Sequence, residues 1–269
     1  MKKYLPLSNE DYTQICTKLA IDPKTDNLVT RYLSKHLSWL KIRISTKVLR
    51  NRLENKIALI FGAGPSLPET IAEISSFISA KREKLAIIAA DGALKALLEN
   101  NLLVDVVVTD LDGSLSSIRD SLKSNCNVVI HSHGDNLPKL KLATELLSQL
   151  GVIGSTQGKS NCKVKNFGGF TDGDRAAHLA ANFGAKSIIL LAFDFGSIVG
   201  KYSKPDLQKK DFQAPKRKLA KFSIAKELLT KLPFSFPNIS FYNATLKGEQ
   251  IDNWNHLSVE ELLEIINNN

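Results

Sequence analysis

At 269 residues and 43% hydrophobic content the chain can bury a large core without covalent staples. Its three cysteines, Cys16, Cys126 and Cys162, form no CxxC pair, which excludes a disulfide framework and a cysteine-rich zinc site. The net charge of +9 suits an anionic partner, but the lysines are not interleaved with aromatics as a base-stacking platform requires, so no nucleic acid is expected. No run approaches the ~18 uninterrupted apolar residues of a membrane span. The start, Met1-Lys2-Lys3-Tyr4-Leu5-Pro6, leads into polar Asn9-Glu10-Asp11 instead of an apolar leader, and a soluble cytoplasmic protein is expected.

Residues 1–55 carry Leu28, Tyr32, Leu33, Leu37, Leu40, Ile42 and Ile44 at helical spacing and predict a helical N-terminal extension. Two roles stay open for it: packing on the rest of the chain, or forming the contact of a homo-oligomer. From Lys56 the texture changes to short β-branched runs at 57–61, 85–90, 104–109, 128–131 and 187–192, each followed by a helical stretch. That alternation predicts βα units and one α/β domain over 56–269, an open, mainly parallel sheet with helices on both faces. The runs are nearly continuous in apolar residues, as strands covered on both faces must be. Residues 196–215 lose hydrophobic period and gain Gly, Ser, Lys, Pro and Asp, which predicts a long basic loop of the kind that acts as a lid. A helix over 216–231, a strand over 239–242 and a short helix over 258–266 complete the chain.

The strand-like runs end in small clusters that an open parallel sheet brings to one crevice, at the carboxyl ends of its strands. In Gly62-Ala63-Gly64-Pro65-Ser66 the glycines let backbone approach a phosphate at a helix start, although the third glycine of a dinucleotide fingerprint and the Lys-Ser/Thr of a P-loop are missing. A tight strand-to-helix turn is the plain alternative. Asp110 and Asp112 flank Leu111 at a strand terminus, where two close carboxylates repel unless a cation sits between them. Mg²⁺ shared with a polyphosphate is the natural cation, and Asp91-Gly92 and Asp172-Gly173-Asp174 repeat the pattern. Asp172 also suits a helix N-cap, with Asp174 and Arg175 on the first turn, where the Arg175 fork suits a phosphate. His131-Ser132-His133-Gly134-Asp135-Asn136 places two imidazoles on one side of an extended segment, but no third ligand favours zinc. Phosphate or substrate contact fits these histidines better, with Asp135 as a further carboxylate; a structural role for His131 is equally open. His178 and His256 read as structural. Without a nucleophile motif, carboxylates, glycines and cations together point to phosphoryl chemistry, where positioning and charge neutralisation carry the rate.

In chain order, Gly64-Pro65-Ser66-Leu67, Ala90-Asp91-Gly92-Ala93, Thr109-Asp110-Leu111-Asp112-Gly113, His131-Ser132-His133-Gly134-Asp135-Asn136, Gly168-Gly169-Phe170-Thr171-Asp172-Gly173-Asp174-Arg175-Ala176 and Phe193-Asp194-Phe195-Gly196 resemble the motifs of the archaeal-type 6-hydroxymethyl-7,8-dihydropterin pyrophosphokinases. That family is Rossmann-like, related in fold to thiamin pyrophosphokinase and more distantly to flagellin glycosyltransferases. The resemblance covers residues 55–230. It implies transfer of diphosphate from ATP to the hydroxymethyl oxygen of a reduced pterin, releasing AMP, with Mg²⁺ required, in folate or methanopterin biosynthesis. On that resemblance Asp110 and Asp112 hold Mg²⁺ against the β- and γ-phosphates, and Asp91, Asp172 or Asp174 completes the shell. Gly62, Gly64, Pro65, Ser66 and Gly92 face the nucleotide, while Arg175, with Lys159, Arg217 or Lys218, stabilises charge on the transferred group. Asp110 or Asp135 orients the attacking oxygen, His133 contacts phosphate or substrate, and Asn136, Thr156, Gln157, Thr171 and Asp194 are the pterin candidates. Thiamin pyrophosphokinase and a metal-dependent nucleotide-sugar glycosyltransferase are the enzyme alternatives, because the Asp91-Gly92 and Asp110-x-Asp112 subset fits them too. A nucleotide-binding sensor without turnover is the non-enzyme alternative.

Overall fold

The computed structural model describes residues 4–204 and 209–268. Three helices come first, α1 (Asn9–Leu19), α2 (Pro23–His36) and α3 (Trp39–Leu53), followed by β1 (Ile57–Phe61), α4 (Leu67–Ala80), β2 (Leu85–Ala90), α5 (Ala93–Glu99), β3 (Val106–Thr109) and α6 (Leu115–Lys123). Then come β4 (Asn127–Ser132), α7 (Leu137–Leu142), α8 (Thr144–Leu147), β5 (Val152–Thr156), β6 (Val164–Lys165), α9 (Asp172–Asn182) and β7 (Ser187–Leu191). The chain closes with β8 (Ile198–Val199), β9 (Phe212–Gln213), α10 (Lys216–Ser235), β10 (Ser240–Asn243), β11 (Asn255–His256) and α11 (Val259–Asn268). No helix among the described residues is long and apolar enough to cross a membrane.

The main sheet runs β11-β10-β7-β1-β2-β3-β4-β5-β6, and every neighbouring pair in it is parallel. Side chains of a strand alternate between faces, so β1 splits its burial: Ile57, Leu59 and Phe61 join one core and Ala58 and Ile60 the other. Helices α4, α5, α6 and α11 cover the first face, and α9 and α10 cover the second. The N-terminal helices belong to both. Val29, Leu33, Leu37 and Ile42 enter the first core, and Leu49 and Leu53 of α3 enter the second.

Strands β1 and β2 fall on the residues that the apolar runs predict. The apolar pattern does not predict β5, because Gly154-Ser155-Thr156 interrupts it. The glycine is there for contact: a Cβ on Gly154 would stand 2.6 Å from Leu37 Cδ1 and 3.0 Å from Val164 Cγ2, so the N-terminal helices press directly on that strand. The long loop expected over 196–215 is tied down at both ends, since β8 and β9 pair antiparallel as a two-stranded ribbon. Residues 205–208 of that stretch lie outside the described residues.

Candidate active site

The chain fills the sheet outward from β1 to β6 and then returns to β7 on the other side of β1, so the topology reverses between β1 and β7. Ligand crevices form at such points, outside the carboxyl ends of the strands. There the Gly62 amide donates to Leu191 O at 2.8 Å and the Gly64 amide to Ala192 O at 3.2 Å. A Cβ on Gly64 would meet Asp194 Oδ2 at 1.8 Å, so only glycine lets the two strand ends close up. Non-glycine residues in the left-handed region gather at these ends: Asp91 (φ 40°), Leu111 (φ 68°), Ala192 (φ 57°) and Phe195 (φ 47°). Such backbone is costly and persists where surrounding structure imposes it, most often at functional sites.

These ends line a cavity of about 360 Å³ that is roofed by the start of α10 and by Gly200 to Lys204. At its centre Asp91, Asp110 and Asp172 each offer an oxygen within 4.8 Å of the others. Thr109 Oγ1, at 2.5 Å, and the Gly113 amide, at 3.1 Å, both donate to Asp91 Oδ1 and hold it in place. His133 Nδ1 accepts the Asp135 amide at 3.3 Å, which leaves the ring proton on Nε2, 3.2 Å from Asp110 Oδ2. Burial, and then the charge of Asp110, push the Asp91 carboxyl up to about 7. Burial likewise holds Asp172 well above the usual range, with Asp110 and Asp91 adding to it. Asp110 is buried too, but the hydrogen bond from His133, with the charges of Lys139 and Lys221, outweighs that and keeps it below the usual value. Three converging carboxylates, two of them resisting ionisation, form an all-oxygen donor set that fits a hard divalent cation such as Mg²⁺.

Lys218 and Lys221 reach the cavity from the first turns of α10. Burial and the neighbouring Lys221 lower the Lys218 ammonium, while Asp172, Asp91 and Asp110 oppose that shift. Lys218 Nζ lies 5.3 Å above the Phe222 ring and donates to Ser203 Oγ at 3.4 Å. Arg217 binds Leu19 O at 3.0 Å and faces Asp135 at 3.6 Å, linking α10 to the N-terminal helices across the opening.

Of the residues that sequence pattern selects, Gly62, Gly64, Pro65, Asp91, Gly92 and Asp110 line the cavity together with His133, Asp135, Gln157, Thr171, Asp172 and Lys218. Asp112 also borders it, but its carboxylate pairs with Lys139 and stands outside the carboxylate cluster, a correction to the Asp110/Asp112 pairing. Asp174, expected as a metal ligand, spends both oxygens on the start of α9, accepting the Phe170 amide at 2.6 Å, the Thr171 amide at 2.7 Å and the Thr171 hydroxyl. Thr171 is therefore the N-cap residue, and the Asp172 side chain stays free for the cluster. Arg175, expected on a phosphate, is 1% exposed and does not reach the cavity; Nη2 donates to Phe170 O at 2.8 Å and Nη1 to Gly168 O at 3.3 Å. Ser66 turns inward and donates from Oγ to Asp194 Oδ2 at 2.9 Å. Asn136 ties two strand ends together, donating to His131 O at 2.7 Å and Asp110 O at 3.0 Å. Thr156 bonds Thr30, and Lys159 stands away from the cavity wall.

Asp26 of α2 is a site residue that pattern reading missed. It takes the Gly134 amide at 2.6 Å on one oxygen, and Gln157 Nε2 at 2.6 Å and the Tyr12 hydroxyl at 2.7 Å on the other. Thr30, one helical turn on, bonds Ser132 Oγ at 3.1 Å and Thr156 Oγ1 at 2.8 Å. An acidic residue in a helix's first turn carries no local sign of this role, since complementing the helix dipole predicts the same residue type.

A parallel α/β sheet with acidic strand ends, a glycine turn at its reversal point and a basic helix beside them is the arrangement of an α/β protein that binds its ligand at the carboxyl ends of the strands. Residues 30–200 match the family model described as 6-hydroxymethylpterin diphosphokinase MptE-like. The 6-hydroxymethyl-7,8-dihydropterin pyrophosphokinase of Methanothermobacter thermautotrophicus is 38% identical over 218 residues, covering 81% of this chain and 90% of that protein. Proteins of the same name from Pyrococcus furiosus and Methanocaldococcus jannaschii are 48% identical over 172 residues and 40% identical over 189 residues. They cover 63% and 68% of this chain and 69% and 77% of their own lengths. The chain belongs to this MptE-like family. Among solved structures, the MAf glycosyltransferase from Magnetospirillum magneticum aligns with a TM-score of 0.48 and 15% identity, over 82% of this chain and 38% of that one.

Proposed function

We propose that the protein transfers diphosphate from ATP to the hydroxymethyl group of 6-hydroxymethyl-7,8-dihydropterin, giving the pterin diphosphate and AMP. Family membership supports the reaction, and the observation that carries it to this chain is the Asp91, Asp110 and Asp172 cluster within 4.8 Å at the strand ends. These residues would hold Mg²⁺, which when bound neutralises charge on the phosphates. The pterin hydroxyl oxygen attacks the β-phosphorus of ATP, the bond from that phosphorus to the oxygen bridging the α-phosphorus breaks, and AMP departs with the electron pair. Asp135, an exposed carboxylate on the rim beside His133, orients the hydroxyl and takes its proton. His133 donates to Asp110 and keeps that carboxylate ionised. Lys218 and Lys221 bring positive charge over the transferred group, and the α10 side of the cavity keeps water from it. Free Cys16, Cys126 and Cys162 suit a reducing, cytoplasmic setting.

Chromatographic assay of AMP from ATP and Mg²⁺, with hydroxymethyldihydropterin, thiamin or no acceptor, tests the reading. AMP formed one-for-one with pterin and abolished by EDTA is expected. Formation with thiamin alone, or of ADP, would overturn it.

A further inference from the structure

Sheet order arranges the cavity from end to end. The glycine turn after β1 and the 192–195 segment after β7 form one end, the carboxylates after β2 and β3 the middle, and the segments after β4 and β5 the other end. Three inter-strand steps separate β1 from β4, about 14 Å. The two ends differ in chemistry. The β1/β7 end holds the reversal point, backbone that approaches closely because Gly64 has no Cβ, and the Asp194 carboxylate. By the rule for open α/β sheets it is the nucleotide end.

The β4/β5 end carries charge at its rim, where Asp135 faces Arg217 at 3.6 Å, and neutral polar side chains deeper in, His131 and Gln157. His131 lines the cavity at 3% exposure, and neither ring nitrogen has a hydrogen-bond partner, although the Gln157 side chain stands beside it. Burial, with Arg175 and His133, holds the imidazole well below its usual value, so it offers one donor and one acceptor. A buried polar group left unpaired is costly, and an unpartnered imidazole on a residue of the cavity wall is a candidate ligand contact. Gln157 gives its amide nitrogen to Asp26, which leaves Oε1 as an acceptor. Asp26 is buried and accepts three hydrogen bonds, one of them from Gln157 Nε2, so it orients the Gln157 amide. Phe170 and Ile21 border the same end with apolar surface. Phosphates need cations or clustered amides; neutral donors and acceptors between apolar walls fit the amino- and oxo-substituted edge of a flat heterocycle.

We infer that the acceptor's ring binds at the β4/β5 end, where Gln157 Oε1 accepts from the 2-amino group and His131 bonds the ring edge, with Asp26 as the positioning residue, while ATP enters from the β1/β7 end. This assignment rests on the proposed function and adds the order of subsites: nucleotide, carboxylate cluster, pterin. The N-terminal helices thereby supply part of the acceptor site.

The test measures equilibrium binding of 6-hydroxymethylpterin and, separately, of α,β-methylene-ATP with Mg²⁺, on the full chain. Gln157→Leu and His131→Asn are expected to weaken pterin binding tenfold or more and to leave the nucleotide analogue within twofold; Asp194→Asn does the reverse. Asp26→Asn raises KM for the pterin with little change in kcat. A pterin lacking the 2-amino group binds wild type at least tenfold more weakly, yet binds Gln157→Leu no more weakly than the parent pterin does, a coupling that a structural defect would not produce. Thermal melts identify a variant that fails to fold, and His131→Asn then stands in for Gln157→Leu. Retained pterin binding together with lost nucleotide binding in these variants overturns the subsite order alone. Wild-type protein that binds no pterin overturns the proposed function, and the subsite with it.

Discussion

Asp91 keeps its proton to about pH 7 when folded, against 3.8 for an unperturbed aspartate, and Asp172 shifts in the same direction. Between those values the folded state binds protons that the unfolded state has released. Metal-free stability therefore falls as pH rises across that window and levels off above it. A bound divalent cation favours the ionised carboxylates, so saturating Mg²⁺ should flatten this slope and raise the melting temperature most near neutral pH. Melts between pH 4 and 8 in EDTA and in Mg²⁺ check this; parallel slopes would count against the cation. Asp172→Asn removes one repelling carboxylate and should raise the EDTA melting temperature by about 2–4 °C, for roughly 1 kcal/mol. Turnover should fall on the order of 10²–10³-fold, since a charge-organising group is lost. The cluster was half legible in the sequence. Asp91 and Asp110 carry the Asp-at-strand-end pattern, but Asp112 carries it equally, and only the left-handed turn at Leu111 sends Asp112 to Lys139. Asp172 separates from Asp174 only once Thr171 is known to cap the helix.

Helix α9 shows how an element can copy a binding motif for its own support. Gly168 (φ 87°) and Gly169 (φ 73°) turn the chain so tightly that a Cβ on Gly169 would stand 2.5 Å from Arg175 Cα. Asp174 and Arg175 then hold that turn by its amides and carbonyls. From the sequence alone, Thr-Asp-Gly-Asp-Arg reads equally as phosphate chemistry, because charge-assisted hydrogen bonds serve both purposes. Arg175→Ala should destabilise the fold by about 3–5 kcal/mol, as removal of a buried charged partner does. Urea denaturation measures it; unchanged stability with lost activity would return Arg175 to the phosphate. The central strands were legible for the opposite reason: β1 and β2 are apolar throughout and buried on both faces, whereas β5 hides behind Gly154, whose purpose depends on Leu37 far away in the chain.

At the scale of the molecule the first 55 residues were the least legible part. Their helical spacing was plain, but their destination was not, because amphipathic helices suit a neighbouring sheet and a second subunit alike. In the structure Val29, Leu33, Leu49 and Leu53 are buried in the two cores, and Asp26 and Thr30 bind the ends of β4 and β5. A chain starting at residue 56 should lose cooperative melting and pterin-dependent turnover together, as circular dichroism and the AMP assay would register; an active, cooperatively folded fragment would contradict this packing. The most direct test of the whole account is ³¹P NMR of the protein with Mg²⁺-ATP and 6-hydroxymethyl-7,8-dihydropterin. Simultaneous growth of AMP and a pterin diphosphate ester, absent without pterin and abolished in Asp110→Asn, is the predicted result. ADP formation, or AMP that appears whether or not the pterin is present, would contradict it.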